Sequence, residues 1–247
     1  MLFCNKRKNK GLLLVLLCCS FMLVACNESK TSTNKLTPED QKISWSKARE
    51  SAFYNYSFEK LSKEDADELL IDKLELAHTK TLTAASEVLV NQLVEEDKCW
   101  IESTQYTVSS DKQETNYLSY WTFKTSEGYY PLYVQTQTIY TYDKEQKLAY
   151  ASRELIEVKN ITSTGEFNGK DLKKLISQLG DVYNIPEKDF SVKLSEVLQQ
   201  TDATTVLFDT LEAAKKENSI GKKLYVKRAE NGVVSQVVVV MEDHSFE

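Results

Sequence analysis

Residues 129–142 read YYPLYVQTQTIYTY, and their alternation of large apolar with polar side chains is typical of a β-strand. Three further stretches rich in Tyr, Thr, Trp and Val flank this one: CWIESTQYTV at 99–108, NYLSYWTFKT at 116–125 and LAYASRELIEV at 148–158. The separators between the four stretches are short and polar, which favours antiparallel neighbours. The sequence therefore predicts a four-stranded antiparallel meander over this region.

The residues before the meander have helical spacing. Thr37 and Pro38 supply an N-cap and a proline at the first helical position, and apolar residues at helical spacing follow as far as Tyr56. A second helix is predicted from Ser62, and a third over 82–94. Three helices followed by a meander resemble the layout of cystatin-like and NTF2-like folds, although only the element order carries this resemblance.

The residues after the meander mix short helices with strands. TSTGEFNG at 162–169 is a linker-like break, and the next stretch predicts a short amphipathic helix that Gly180 would end. Helical turns are expected over 191–200 and again after Asp209. The Asn-Gly pair at 231–232 lies between two β-branched runs and predicts a β-hairpin. The predicted fold class is α+β, with N-terminal helices, a four-stranded antiparallel meander, short helices and a C-terminal β-hairpin.

The predicted elements fall into two parts of the chain. Residues 38–160 hold helices and the antiparallel sheet, and residues 165–247 hold helices and the hairpin; the two parts can pack as one domain. The run VVVVM at 237–241 has two interpretations, a central strand buried on both faces or an exposed edge that a partner strand could join. We expect the central strand.

The first 26 residues have the pattern of a targeting signal. A basic segment precedes an apolar stretch over 11–25, which is shorter than a bilayer-spanning helix. Leu23, Val24, Ala25 and Cys26 then resemble the lipobox of bacterial lipoproteins. The resemblance implies that residues 1–25 are a signal peptide, cut between Ala25 and Cys26, and that Cys26 carries a diacylglyceryl anchor. The alternatives are an ordinary secretory signal or an uncleaved anchor.

The anchor sets the expected location and environment of the protein. Residues 26–37 are predicted to be the lipidated cysteine and a flexible polar tether, at the extracytoplasmic face of the cell membrane. The chain has a net charge of −6, and loss of the four basic residues in 1–25 would leave −10, which argues against a nucleic-acid partner. Lysines far outnumber the four arginines, which favours an AT-rich genome and a low-GC Gram-positive source. The oligomeric state stays open.

The sequence offers little material for catalysis, cofactors or metals. It contains seven glycines and no Gly-rich phosphate loop, and His78 and His244 lie too far apart in the chain for a zinc-binding spacing. After Cys26 only Cys99 remains, and we expect it to be a buried small hydrophobe. Clustered carboxylates such as those at 64–68 are expected to be helix caps and solvated faces. A glycosidase-like carboxylate pair depends on tertiary distances, so the sequence leaves that alternative open.

These observations favour a non-catalytic, lipid-anchored module that binds a peptide, a glycan or a partner protein. The first alternative is a membrane-tethered hydrolase that uses paired carboxylates, and the second is an inhibitor or immunity protein. A deep pocket with two convergent buried carboxylates would favour the hydrolase, whereas a shallow sheet face would favour binding.

Tyrosines supply the predicted binding surface. Nine of the 13 lie in the meander. The pleat places the even-numbered residues from Tyr130 to Tyr142 toward the core, together with Trp121 and Phe123 of the preceding strand. The outward residues form the candidate patch, in which rings beside amides suit a sugar or an extended peptide: Tyr120, Tyr129, Tyr133, Gln135 and Gln137.

Overall fold

The computed structural model describes residues 36–94, 98–162, 167 and 171–247, which all belong to the compact unit Asn34–Glu247. Nine strands of this unit form one antiparallel sheet. Their bounds are β1 Ser46–Ala48, β2 Tyr56–Leu61, β3 Cys99–Ser110, β4 Glu114–Thr125, β5 Leu132–Asp143, β6 Leu148–Asn160, β7 Thr204–Asp209, β8 Ile220–Arg228 and β9 Val234–Asp243.

The predicted fold class is wrong about the sheet. The strand order is β2-β3-β4-β5-β6-β9-β8-β7, with β1 paired to β6, so the four strands of the predicted meander lie in the middle of a larger sheet. The hairpin of β8 and β9 is not a separate element, because Val158 of β6 pairs with Val237 of β9. The apolar β9 needs a neighbour on each side to satisfy its backbone hydrogen bonds, and β6 supplies the second one.

The helices described are short. The α-helices are α1 Lys63–Asp67, α2 Lys80–Leu93, α3 Leu172–Val182, α4 Ser191–Glu196 and α5 Leu211–Glu217. A π-helix at Glu68–Lys73 continues α1, and 3₁₀ turns lie at Asp40–Lys42 and Glu187–Asp189. Helix α3 runs past the predicted stop at Gly180. A Cβ atom on that glycine would lie 3.2 Å from the ring of Phe190, so the residue allows close packing there and does not end the helix.

The first predicted helix, over 37–56, is wrong. The N-cap pattern closes only the 3₁₀ turn at Asp40–Lys42, and the chain then becomes extended as β1 along β6. Two aromatic side chains of this region, Trp45 and Phe53, pack onto tyrosines of the sheet. Trp45, for example, lies edge-on to Tyr140 with ring centroids 5.3 Å apart. Contact with the sheet thus overrides the local helical pattern.

Helices α2 and α3 cover one face of the sheet, which we call the covered face. Their apolar side chains share a core cluster with residues of seven strands, among them Phe123, Val134, Ile156, Leu224 and Val239. A second cluster on the same face joins α1 and the π-helix to tyrosines of β3, β4 and β5. Within the described residues, no helix has the length and apolar character needed to cross a membrane.

Strand β9 is buried along its whole apolar run. Every residue from Val237 to Met241 is at most 3% exposed, and β9 has β6 on one side and β8 on the other. The interpretation of this run as a central strand is therefore confirmed. Val238 and Val240 are buried as well, but they belong to neither of the two core clusters. They lie on the opposite face of the sheet, which we call the open face.

Candidate functional site

Five side chains form a row across the open face. Each of them lies directly opposite the next in the register of the paired strands. The row runs across β4, β5, β6, β9 and β8 through Tyr120, Gln135, Glu157, Val238 and Tyr225. Four strand steps of about 4.8 Å separate its two tyrosines by roughly 19 Å. We call these five residues the open-face row, and all but Val238 are half-buried.

A tyrosine pair marks the first end of the row. The rings of Tyr120 and Tyr133 are stacked, with centroids 5.2 Å apart and planes inclined by 26°. Burial raises the pKa of Tyr120 to about 12, and the nearby Tyr133 and Glu157 add to this rise. Its hydroxyl group therefore stays protonated at neutral pH and can donate a hydrogen bond.

Amides and charges lie around the row. Gln137 donates a hydrogen bond to Asn116 on the neighbouring strand, with an N···O distance of 2.9 Å. At the second end, the Nζ atoms of Lys223 and Lys227 lie 5.9 and 5.7 Å from the ring centroid of Tyr225. The open face thus presents aromatic rings, amides and both signs of charge, which are the groups that recognise a polar, extended ligand.

The structure brings four of the five predicted patch residues together. Tyr120, Tyr133, Gln135 and Gln137 lie on neighbouring strands β4 and β5 and share the open face. Tyr129 is 68% exposed but lies in the loop before β5, so the alternation of the strand does not apply to it.

The assignment of Tyr130 to the core side is wrong, because strand β5 begins only at Leu132. Tyr130 is exposed instead, and the Nζ atom of Lys124 lies 5.7 Å from its ring centroid. The even-numbered residues from Leu132 to Tyr142 are buried, as the pleat predicts.

A pocket of about 410 Å³ opens on the covered face, between helix α2 and strands β3, β4 and β5. Tyr106, Tyr117 and Trp121 give it aromatic walls, and Ser119 and Thr136 line it from the sheet, where their hydroxyl groups are hydrogen-bonded to each other at 2.5 Å. His78 also lines it, and we call it the His78 pocket. Its size and its mixture of apolar and polar groups are those of a small-molecule site.

A carboxylate anchors the imidazole ring of the His78 pocket. His78 Nε2 lies 2.7 Å from Asp67 Oδ1, and the hydroxyl group of Tyr117 donates to the same oxygen at 3.3 Å. Asp67 ends α1, directly before the π-helix, an element that often occurs at functional sites. Burial raises the pKa of Tyr117, and the negative charge of Asp67 adds to the rise.

Two buried carboxyl groups lie elsewhere on the covered face. Glu154 is fully buried, and burial raises its pKa to about 7. The hydroxyl groups of Thr79 and Tyr183 lie near Glu154 and offset part of this rise, although neither forms a well-directed hydrogen bond with it. Asp243 accepts hydrogen bonds from Ser44 and from Ser245. Neither carboxyl group lines the His78 pocket.

The remaining predicted residues divide between described and undescribed parts of the chain. Ala25 and Cys26 lie outside the described residues, as does most of the linker-like break. Cys99 is buried in the core. In the part of the chain that the structure describes, no three or more His, Cys, Asp or Glu side chains are grouped to hold a metal ion.

No protein-family model, curated protein or solved structure matches this chain.

Sequence reasoning missed the His78 pocket. In the sequence, His78 is considered only as a zinc ligand too far from His244, and Asp67 only as part of the cluster at 64–68 expected at a helix cap, yet the turn after the π-helix brings the two into contact. The spacing of eleven residues corresponds to no known motif, so the sequence carries no local signal for the pair. Tyr225 was missed as well, because only the pairing of β6 with β9 places it on the same row as Tyr120.

Proposed function

We propose that this protein is a lipid-anchored, extracytoplasmic binding module that holds a glycan chain on its open face. The observation that carries the proposal is the open-face row, with tyrosine rings at both ends and amide and carboxylate groups between them. Tyrosine rings can pack against the apolar faces of sugar rings, while amides and carboxylates bond to sugar hydroxyl groups.

The position of the row on a face favours a glycan over an extended peptide. A peptide strand is usually recognised through main-chain hydrogen bonds at a sheet edge. The strands that carry the row all have neighbours on both sides, so their backbone groups are engaged in the sheet. A ligand on this face is therefore bound by side chains alone. This suits a glycan, whose hydroxyl groups and sugar-ring faces are recognised by side chains.

The proposed anchor would hold the protein at the cell envelope. The lipobox-like LVAC at 23–26 and the polar tether after it support attachment through Cys26. The test is metabolic labelling with a radioactive fatty acid: wild-type protein is expected to take up label and Cys26→Ser is not. Equal labelling of the two proteins would contradict the anchor.

The glycan proposal is tested by calorimetric titration of the full-length chain in nonionic detergent. The probes are tetrasaccharides of N-acetylglucosamine, of glucose and of galacturonic acid. We expect at least one to bind, and Tyr133→Ala and Tyr225→Ala each to weaken that binding about tenfold, as loss of an aromatic anchor does. The matched control is Tyr54→Ala, which removes a tyrosine that is 59% exposed and lies outside the open face.

Three results would contradict the glycan proposal. The first is the absence of binding to all three tetrasaccharides. The second is binding that Tyr133→Ala and Tyr225→Ala leave unchanged. The third is an equal loss with the Tyr54→Ala control, because that would show that the effect does not depend on the open face.

A further inference from the structure

The His78 pocket and the open face lie on opposite sides of the sheet. Trp121, which lines the pocket, pairs in register with the core residue Val134, whereas its chain neighbour Tyr120 belongs to the open-face row. A ligand in the pocket would therefore be a second ligand and not an extension of the proposed glycan.

Aromatic rings form the sheet side of the pocket. The centroids of Tyr106 and Tyr117 are 6.0 Å apart and their planes are inclined by 50°, so the two rings form a corner. His78 lies edge-on to Tyr117 with centroids 4.9 Å apart, and Trp121 lines the same cavity. Rings in this arrangement can offer their π-electron faces to a small ligand.

The pocket also lies in a negative field. The carboxylate of Asp67 lies 3.3 Å from the hydroxyl group of Tyr117, and the charges of Asp67 and Glu64 add to the rise that burial causes in the pKa of Tyr106. Glu87 lines the pocket from helix α2. Lys63 also lines the pocket, and its Nζ atom lies 3.9 Å from Asp67 on a side chain that is 58% exposed. Solvent therefore screens the lysine more than it screens the carboxylate.

Several hydroxyl groups that line the pocket already form hydrogen bonds within the protein. Ser119 and Thr136 are bonded to each other, Ser86 donates to the carbonyl group of Leu82, and Tyr117 donates to Asp67. Their oxygens can still accept hydrogen bonds, but a methylated ammonium ion needs none of them and requires only ring faces and a negative field.

We propose that the His78 pocket binds a free organic ammonium ion that carries methyl groups and has about the size of choline. Its methyl groups lie against Trp121 and the corner formed by Tyr106 and Tyr117. Asp67 balances its charge, and Glu87 adds a weaker contribution because it is exposed to solvent. His78 is a positioning residue, because its contact with Asp67 holds that carboxylate beside the rings.

The test compares choline with 3,3-dimethyl-1-butanol, which has the same shape and no charge. Both are titrated by calorimetry into the full-length chain in nonionic detergent. We expect choline to bind at least about tenfold more tightly, because only the charged ligand gains from the rings and the carboxylates. Phosphocholine is the third probe, and its anionic phosphate group is expected to weaken binding, which distinguishes a free ammonium ion from a phospholipid headgroup.

Two substitutions and one control assign the binding to the pocket. Trp121→Leu keeps an apolar wall and removes the π face, so choline affinity should fall about tenfold. Glu87→Gln lies on an exposed helix position, where loss of folding is not expected, and should lower affinity severalfold. Tyr54→Ala, which removes an exposed tyrosine that does not line the pocket, should leave choline binding unchanged.

Four outcomes would overturn the proposal. Equal binding of choline and its neutral isostere would show that the pocket selects apolar shape and not charge. Phosphocholine that binds as tightly as choline would show that the ligand is not a free ammonium ion. If choline does not bind, or if Glu87→Gln leaves its binding unchanged, the His78 pocket is not an ammonium-binding site.

Discussion

The two faces of strand β5 have the same backbone and opposite environments. On the covered face, Leu132 and Val134 are completely buried beneath helices. On the open face, Tyr133, Gln135 and Gln137 alternate with them and stay half-exposed. Folding therefore constrains one set of alternate residues far more than the other. The less constrained set is therefore available for recognition, and substitutions on the two faces should have different effects.

The largest difference is expected when a lysine replaces adjacent valines of β9. Val239 belongs to the core cluster, so Val239→Lys would bury a charge beneath helices and lower the free energy of unfolding by about 4 kcal/mol or more. At Val238, which is equally buried but lies on the open face, the lysine stem can follow the surface beside Glu157 and release its ammonium group to water. We expect Val238→Lys to lower the free energy of unfolding by about 1–2 kcal/mol.

Urea denaturation of the two lysine variants measures this difference. Equal losses of stability would show that the side chains around Val238 confine a lysine there as strictly as the helices confine one at Val239. A larger loss for Val238→Lys than for Val239→Lys would show that the faces have been assigned in reverse.

The next difference is between two glutamates of β6, and it depends on pH. Because burial raises the pKa of Glu154 to about 7, the folded state binds a proton there that the unfolded state has released. The stability that this proton contributes is present below the unfolded pKa near 4 and is lost as pH rises to about 7. We expect Glu154→Gln to have roughly the stability of wild type at pH 4.5 and to exceed it by about 3 kcal/mol at pH 8.

The control for this pH dependence is Glu157→Gln, three residues further along β6 and on the half-exposed open face. Urea denaturation from pH 4.5 to pH 8 should show a difference from wild type that is small throughout. A stability gap between wild type and Glu154→Gln that does not change with pH would contradict the buried, protonated carboxyl group.

The smallest expected effect is the coupling between the stacked tyrosines of the open face. Tyr133→Ala should lower the free energy of unfolding by no more than about 1 kcal/mol, as most surface changes do. In a double-mutant cycle with Tyr120→Ala, the coupling energy should be about 0.5–1 kcal/mol, the lower part of the usual range for aromatic pairs. A loss of several kcal/mol from Tyr133→Ala alone would show that its ring belongs to the core.

Parts of the sheet could be predicted from the sequence because the responsible signal is local. Alternation along 132–142 identified the buried side of β5, and the Asn-Gly pair marked the turn between β8 and β9. Strand β2 and strand β7 were missed because both are short edge strands, and β2 buries no side chain on either face. A strand of this kind forms because a neighbour offers hydrogen bonds, and its own residues carry little pattern.

The candidate sites were predicted in part for the same reason. Tyr120 and Tyr133 come from one hairpin, so the pleat alone placed them on one face. Tyr225 joins them only through the pairing of distant strands, and the His78–Asp67 contact depends on the turn that follows the π-helix. Both are tertiary consequences that no local spacing records.

The most direct test of the division between the two faces is a residue-resolved NMR titration of the protein with the tetrasaccharide that binds best. If the open face is the recognition surface, chemical-shift changes should concentrate at Tyr120, Tyr133, Gln135, Glu157 and Tyr225. Residues of helix α2 on the covered face, such as Leu82 and Leu89, should remain unshifted. Shifts that concentrate on α2 while the open-face row stays unchanged would contradict the account.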